Sequence, residues 1–293
     1  MVDSELFESY RPLMFGLAYR MLGSAMEAED IVQEAYLRYL SAEPHSIRSL
    51  KAFLTTVVTR LSLDHLKSAR VQRESYFGPW LPEPLLTGQS GSEALSTDPD
   101  ALTALNESLS LALLTLLEKL NPVERAVFLL REVFEYDFAE IATMVGKSEA
   151  ACRQALHRAR QFINAESVRF SSTAEEHRVI FGQFMQACLA GDLDELLATL
   201  SADVSAWADG GGKAKAATRP IFGREGVAAL LLGLLRRMPP DAQLELAEIN
   251  GRLGILVRQA GAVVVVMSAD VAQGKITALR FIRNPDKLRR LDA

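Results

Sequence analysis

Arg153, Gln154, His157 and Arg158 fall within six positions of FAEIATMVGKSEAACRQALHRAR (138–160), a segment otherwise patterned for burial. Arginine can pair with the edge of guanine and glutamine with adenine, while further cations hold phosphates, so this set could read a DNA major groove. The chemistry needs a helix whose opposite side is packed. Cys152, Leu156, Ala159 and Ile163 supply that side at spacings of four, three and four, with Arg160 flanking the outward face. In the preceding helix Ile141 and Val145 share one face, and Ala142 is small where two helices must cross. Gly146 suits a left-handed turn between them, and Ser148 can cap the second helix. The pattern predicts a helix-turn-helix. An ordinary helical hairpin shares this spacing, and Lys147 stands where such turns often carry an apolar residue. Cys152 occupies a core position and reads as packing rather than as a redox switch.

A DNA reader is usually basic, yet the net charge is −5. The distribution resolves the conflict. His45–Arg73 carries six Lys/Arg against one acid, Asp64, and Lys147–Arg160 carries four against Glu149. Glu27, Glu29, Asp30 and Glu34 form an acidic stretch. Two basic stretches set among acidic ones predict two polyanion contacts and a separate surface for a basic partner. Short charge clusters also arise as plain solvated helix faces.

The elements that must position these residues are helical up to about residue 170. Apolar spacing over 5–40, broken at Gly23-Ser24, predicts two helices, and Leu50–Ser75 a third with a broad apolar face. TGQSGSEALSTDPD (87–100) is a polar linker. Asp98 or Asp100 can cap the next helix, which ends at Asn121-Pro122 where another begins. Beyond SST (171–173) come two helices near 174–190 and 192–200, an alternating run ADVSAWA broken by Gly210–Gly212, and the helix GVAALLLGLLRRM. Four strands follow: Gln243–Ile249, Leu253–Gln259, Ala262–Ala269 and Lys275–Ile282. The expected fold class is multi-domain, with two all-α domains and a C-terminal α+β domain carrying a curved antiparallel sheet. The expected boundaries are 1–76, a linker over 77–100, 101–168, and 171–293.

Cys152 and Cys188 offer no metal or disulfide spacing, and no cofactor motif is present. Met1–Phe15 carries acids and lacks a long apolar core, and Ala262–Met267 is too short to cross a bilayer. A cytoplasmic chain without membrane contact is expected.

AEDIVQEAYLRY (28–39) followed by KAFLTTVVTRLSLDHLKSAR (51–70) resembles region 2 of the extracytoplasmic-function group of bacterial sigma factors, and the helix-turn-helix is similar to their region 4. Together these cover about residues 5–165. The resemblance implies a non-enzymatic role in promoter recognition and transcription initiation. Asp30, Gln33 and Glu34 would dock the β′ coiled coil of core RNA polymerase. His45, Ser46 and Arg48 would hold a base flipped from the −10 strand of promoter DNA, a capture that must offset lost stacking. Lys51, Arg60, His65, Lys67 and Arg70 would line the phosphates nearby. Arg153, Gln154, His157, Arg158 and Arg160 would read the −35 element, and helices around Leu114–Leu130 would seat on the β flap.

The remaining 120 or so residues are similar in element order to the SnoaL-like branch of the nuclear-transport-factor-2-like fold. WADGGGKAKAA (207–217), NPDKL (284–288) and WLPEP (80–84) match a subgroup of these sigma factors with such a domain fused at the C-terminus. Read from the residues, Asp209-Gly210-Gly211-Gly212-Lys213 is a backbone feature. Its glycines permit positive φ and close approach of another chain, and Asp209 can close a turn. A Walker phosphate loop would need a different spacing and a Ser/Thr after Lys213. Trp207, Asp209 and Arg258 could face the cavity that the fold encloses, where a small molecule could bind; no acid–base pair can be assigned, and fold alone establishes no activity.

Pro82 and Pro84 make the segment around Trp80, Leu81 and Glu83 stiff. A spacer has no need of so many apolar residues. The resemblance implies that Asn284, Pro285, Asp286, Lys287 and Leu288 touch it, making Trp80–Pro84 an intramolecular docking strap that regulates the chain in cis. Two other readings stay open: a C-terminal domain that turns over a small molecule, and a DNA-binding regulator that works without polymerase.

Overall fold

The computed structural model describes residues 4–43, 47–74, 76–87, 109–167 and 172–292. The chain forms two compact units. The first joins the N-terminal helices to the helix-turn-helix segment. The second joins residues 75–88 to the C-terminal α+β part.

In the helical unit, α1 (Ser4–Leu22) and α2 (Ala25–Ser41) meet at Gly23, whose φ is 69°. Ser24 caps α2 by accepting from the Glu27 N–H. α3 (Leu50–Glu74) packs on both. Among the described residues, three short helices precede the recognition helix: α4 (Leu111–Lys119), α5 (Pro122–Glu132) and α6 (Phe138–Val145). Asn121 and Asp137 each close a capping box, with Glu124 and Glu140 respectively. The helix expected after Asp98 or Asp100 is described from Leu111 on, and Asp98 and Asp100 lie outside the described residues. Gly146, at φ 67°, ends α6 in the left-handed conformation, and α7 (Glu149–Ser167) follows. The Ser148 hydroxyl accepts from the Ala151 N–H at the start of α7.

The α+β unit begins with α8 (Ala174–Ala190) and α9 (Leu193–Thr199). Then come β1 (Leu200–Asp209), β2 (Ile221–Phe222) and α10 (Arg224–Arg236). A run of strands follows: β3 (Gln243–Ile249), β4 (Arg252–Gln259), β5 (Ala262–Ala272) and β6 (Lys275–Ile282). The sheet order is β2-β1-β6-β5-β4-β3. Four pairings are antiparallel, but β1 and β6 run parallel, so the sheet is mixed rather than wholly antiparallel. The reason is topological: a helical crossover and the β3–β6 meander separate β1 from β6, and no hairpin constrains their direction. Register shifts at Val257/Arg258 and Asp270/Val271 are bulges that curve the sheet. Phe181, Phe184, Leu196, Val227 and Leu231 of the helices pack on Leu279 and Phe281 of β6.

The C-terminal NPDKL is a structured turn, not an open tail. Asn284 caps α11 (Pro285–Leu288) by accepting from the Asp286 N–H, and a 3₁₀ turn over Arg289–Leu291 ends the described chain.

His177 of α8 is buried against the Ala269 carbonyl, and burial lowers its pKa. A depressed histidine favours the fold while neutral. Its stabilisation is therefore complete above the unfolded value near 6.5 and is lost as pH falls from there toward the folded pKa. Urea unfolding of the α+β unit at pH 7.5 and 5.5 should show the acid loss, and His177→Asn should flatten the slope.

Candidate functional site: a strap clamp and two exposed helix faces

The strap, residues 76–87, is fixed within the α+β unit by one carboxylate. Asp209 ends β1 and is 0% exposed. Its Oδ1 accepts from the Tyr76 hydroxyl at 2.6 Å and the Gly211 N–H at 3.0 Å. Its Oδ2 accepts from the Leu81 N–H at 2.9 Å and Lys287 Nζ at 2.7 Å. A buried carboxylate needs such donors, and four of them satisfy it. Lys287 Nζ also donates to the Leu81 carbonyl at 2.5 Å and stands 4.3 Å from the centre of the Trp80 ring. Asn284 Nδ2 donates to the Tyr76 hydroxyl at 2.9 Å. Burial and the bond to Asp209 push the Tyr76 pKa up, which keeps its proton as the donor.

The backbone places these groups. β1 and β6 end in register at Asp209 and Ile282, and the Asp209 carbonyl accepts from the N–H groups of both Arg283 and Asn284. Asp209 thus holds the C-terminal turn by its backbone and the strap by its side chain. Gly211, at φ 58°, leaves room for both: a Cβ there would lie 2.2 Å from Asn284 Nδ2 and 3.0 Å from the Tyr76 hydroxyl. Lys213 pairs with Asp286, and this pair holds the Asp286 carboxyl below its usual range.

Gly211→Ala adds this clash to a left-handed strain of about 1–2 kcal/mol. It should lower urea stability of the α+β unit by about 2 kcal/mol or more. Gly212→Ala, whose Cβ would meet Phe77 at an ordinary 3.5 Å, should cost about 1 kcal/mol.

The far half of the strap meets the β3–β4 turn. The Leu85 N–H donates to Asn250 Oδ1 at 2.9 Å, and the Asn250 N–H returns to the Leu85 carbonyl at 2.8 Å. Thr87 bonds the Glu248 carbonyl and carboxylate, and Leu86 bridges Ile249 as a fragment of strand on the sheet's edge. Leu81 is 1% exposed, and Pro82, Glu83 and Pro84 are buried. Trp80 is half-buried and serves as a platform for Lys287 rather than as an apolar plug. Tyr76, Thr87 and Asn250 are clamp residues that the sequence reading missed.

Two expectations about the cavity are corrected. Asp209 turns to the strap because β1 ends there and Gly210 breaks the alternation. Arg258 is drawn to the outer side, bonding Glu245 at 2.9 Å and the Leu291 carbonyl. Trp207 does line the cavity.

In the helical unit, Arg153, Gln154, His157, Arg158 and Arg160 are all exposed on α7, while Cys152, Leu156, Ala159 and Ile163 are buried. The arginines are held by acids: Arg153 by Glu149 (2.6 Å), Arg158 by Glu124 (2.5 Å) and Arg160 by Glu132 (2.7 Å). Such exposed pairs are weak and yield readily to a phosphate.

Arg48, Lys51 and Lys67 are exposed; Lys67 pairs with Asp64, and His65 meets Glu27 at 3.2 Å. His45 and Ser46 lie outside the described residues, as does the side chain of Arg70. Arg60 is engaged elsewhere. Its guanidinium donates to the carbonyls of Thr143 (2.8 Å) and Met144 (3.2 Å) at the C-terminal end of α6. Thr55 bonds the Tyr136 hydroxyl at 2.9 Å, and Arg125 bonds the Met21 carbonyl at 2.5 Å. The helices expected to read the two DNA elements are therefore tied together within one unit.

On α2, Asp30 and Gln33 are exposed, and Glu34 pairs with Arg38 at 3.0 Å. Three apolar residues share their stripe at spacings of three and four: Met26 (48% exposed), Leu37 (58%) and Leu40 (44%). The outer face of α2 thus exposes an apolar row with acids beside it. Among the described residues no helix is long and apolar enough to cross a membrane.

Comparison with known proteins adds to this geometry. The Sigma-70 region 2 pattern matches residues 6–71, and the Sigma-70 region 4 pattern matches residues 110–163. The chain is 40% identical over 293 residues to the ECF RNA polymerase sigma factor SigJ of Mycobacterium tuberculosis, covering 96% of this chain and 91% of that one. It is 34% identical to the probable ECF RNA polymerase sigma factor SigI of the same species, covering 97% and 94%. The crystal structure of the M. tuberculosis extracytoplasmic function sigma factor SigJ superposes with a TM-score of 0.77 at 36% identity, over 98% of each chain.

Proposed function

The chain belongs to the extracytoplasmic-function sigma factors of the sigma-70 family, which bind core RNA polymerase and promoter DNA to initiate transcription, and we propose that its C-terminal unit governs this activity in cis through the strap. The observation that carries the proposal is the convergence of Tyr76, Leu81 and Lys287 on the buried carboxylate of Asp209. Docking the strap joins the end of α3 to the α+β unit, which also follows α7 in the chain, so holding it restricts how far the helices of regions 2 and 4 can part.

Parting is needed. The −10 and −35 elements are about 25 base pairs apart by name, ~85 Å at 3.4 Å each. Arg60, on the proposed −10 surface, is bonded to Thr143 and Met144 beside the proposed −35 reader. α3, at ~1.5 Å per residue over its 25 residues, spans about 37 Å, less than half that distance. The tied helices cannot cover both elements at once. Initiation thus requires Arg60 to exchange helix carbonyls for DNA phosphates, and a held strap opposes the exchange.

In this reading Asp30, Gln33 and the apolar row of α2 dock the polymerase, Arg48, Lys51, His65 and Lys67 hold the −10 region, and Arg153, Gln154, His157, Arg158 and Arg160 read −35. His45, Ser46 and Arg70 join the −10 set by resemblance. The protein works where polymerase does, in the cytoplasm, without chemistry of its own.

Run-off transcription with purified core polymerase tests the assignment. Gln154→Ala should lower initiation about 5–150-fold on a promoter with an intact −35 element, the worth of one bidentate base contact. Little change is expected where that element is scrambled. A wild-type chain that neither binds core enzyme nor initiates would contradict the family role.

A further inference from the structure

The α+β unit encloses a cavity of about 930 Å³, within the ~300–1,000 Å³ of small-molecule sites. Its walls are apolar, built from Phe184, Trp207, Leu231, Val257, Met267 and Phe281. The charged groups at its border are mostly of one sign. Lys215, Arg237, Arg283 and Arg289 face one carboxylate, Asp292, whose Oδ1 already accepts from the Val263 N–H. Arg289 is paired with Asp286. The side chains of Lys215 and Arg237 have no bonded partner among the described residues. Arg283 donates one NH group to the Lys215 carbonyl at 2.5 Å and lines the cavity beside Lys215. Guanidinium and ammonium groups gathered on an otherwise apolar wall are matched best by an anionic oxygen.

We propose that this cavity binds an apolar monoanion of fatty-acid type, its hydrocarbon body between the helices and the sheet and its carboxylate at Arg283, and that its occupancy is transmitted to the strap clamp. The transmission follows from chain continuity. Trp207 and Ala208 line the cavity and lead into Asp209. Ala214–Ala217 line it and follow the Gly210–Lys213 turn. Arg283 lines it and precedes Asn284, while its own N–H bonds the Asp209 carbonyl at 2.7 Å. An anion that draws on Arg283 therefore acts one peptide unit from the tail that holds Tyr76. The lining favours holding a ligand over converting it: burial pushes the Cys188 thiol up to about 12, far from a thiolate, and His177 points to Ala269.

The proposal rests on the reading of this unit as a cis regulator. Full-length protein titrated with cis-parinaric acid, a fluorescent apolar carboxylate, should show saturable one-to-one binding. Hexadecanoate should displace it and hexadecanol should do so at least about tenfold less well, the difference a charged hydrogen bond makes. Arg283→Gln should weaken binding by a similar factor. So should Leu234→Glu, a change at the cavity border on a residue 39% exposed that leaves the core intact, with melting curves reporting the fold of both variants. Hydrogen exchange of residues 76–87 should change on saturation. Absence of saturable binding, equal affinity for acid and alcohol, or binding with unchanged strap exchange would each overturn the proposal. The effect of Lys287→Ala on ligand-free transcription reports separately on the cis-regulatory reading, so the two can fail independently.

Discussion

Lys287→Ala is expected to raise initiation from a cognate promoter by about tenfold or more in run-off transcription with core polymerase. The lysine is tied to the strap by a bond to the Leu81 carbonyl, contact with the Trp80 and Tyr76 rings, and a shared carboxylate on Asp209. Removing one member of a buried ion pair costs about 3–5 kcal/mol, because the other charge is left behind. Asp209 keeps three donors, so the loss here falls toward the lower end. Tenfold in initiation needs only about 1.4 kcal/mol of that to reach the balance between tied and parted helices. Asp209→Asn, which keeps the size of the side chain and removes its charge, should act in the same direction. Unchanged or lowered activity in both variants, with the α+β unit still folded, would mean that the clamp does not restrain the helices.

The second large effect lies on α2. Leu37→Asp is expected to weaken binding to purified core polymerase about 30-fold or more, the loss of a central interface anchor worth at least ~2 kcal/mol. Leu37 is 58% exposed in the free chain, so the substitution should leave its melting temperature almost unchanged. Charge adds to the loss of packing, since a new carboxylate must be desolvated where no partner was arranged for it. Glu34→Gln offers a contrast. Its carboxylate is already paired with Arg38 on the surface, and removing it should cost less than fivefold, within the ~0–1 kcal/mol of an exposed pair. Equal binding by wild type and Leu37→Asp would remove this face from the docking surface.

What the sequence showed of these sites depended on how local the signal was. The helix-turn-helix was legible because Gly146, Ser148 and the spacing of Cys152, Leu156, Ala159 and Ile163 are all short-range signals, each within one or two turns of the next. The strand limits of β3 and β6 were legible for the same reason: alternation and Gly-containing turns are short-range. The clamp was legible in outline. Three consecutive glycines mark a place where chains approach closely, and Gly211 meets Asn284 and Tyr76 there. Its chemistry was not. Asp209 has the same strand parity as Trp207, but the end of β1 releases its side chain toward the strap. Tyr76 read as the end of the first helical domain, and Thr87 and Asn250 as linker and turn residues, because their partners lie 133, 161 and 165 positions away. The exposed row of Met26, Leu37 and Leu40 was hidden differently. Apolar residues on an amphipathic helix read as core until the packing of the other helices shows which of them are left out.

The strap also explains how one proline-rich segment can be both stiff and regulated. Pro82 and Pro84 hold it extended whether docked or free, so little conformational entropy separates the two states. The balance then rests on the polar clamp at one end and the Leu85–Asn250 and Thr87–Glu248 bonds at the other. A ligand in the adjoining cavity, or the pull of two separated promoter elements, must outweigh those contacts together with the burial of Leu81, Pro82 and Pro84.

Hydrogen exchange of the 76–87 segment, compared between the free protein and promoter-bound holoenzyme, tests the cis-regulatory claim most directly. In the free chain the Leu81 and Leu85 N–H groups are bonded to Asp209 and Asn250 and should exchange slowly. Release in the initiation complex predicts that the segment exchanges at least about a hundredfold faster there, the signature of a local opening. Protection that is the same in both states would show the strap still docked while the promoter is engaged, and would contradict regulation by its release.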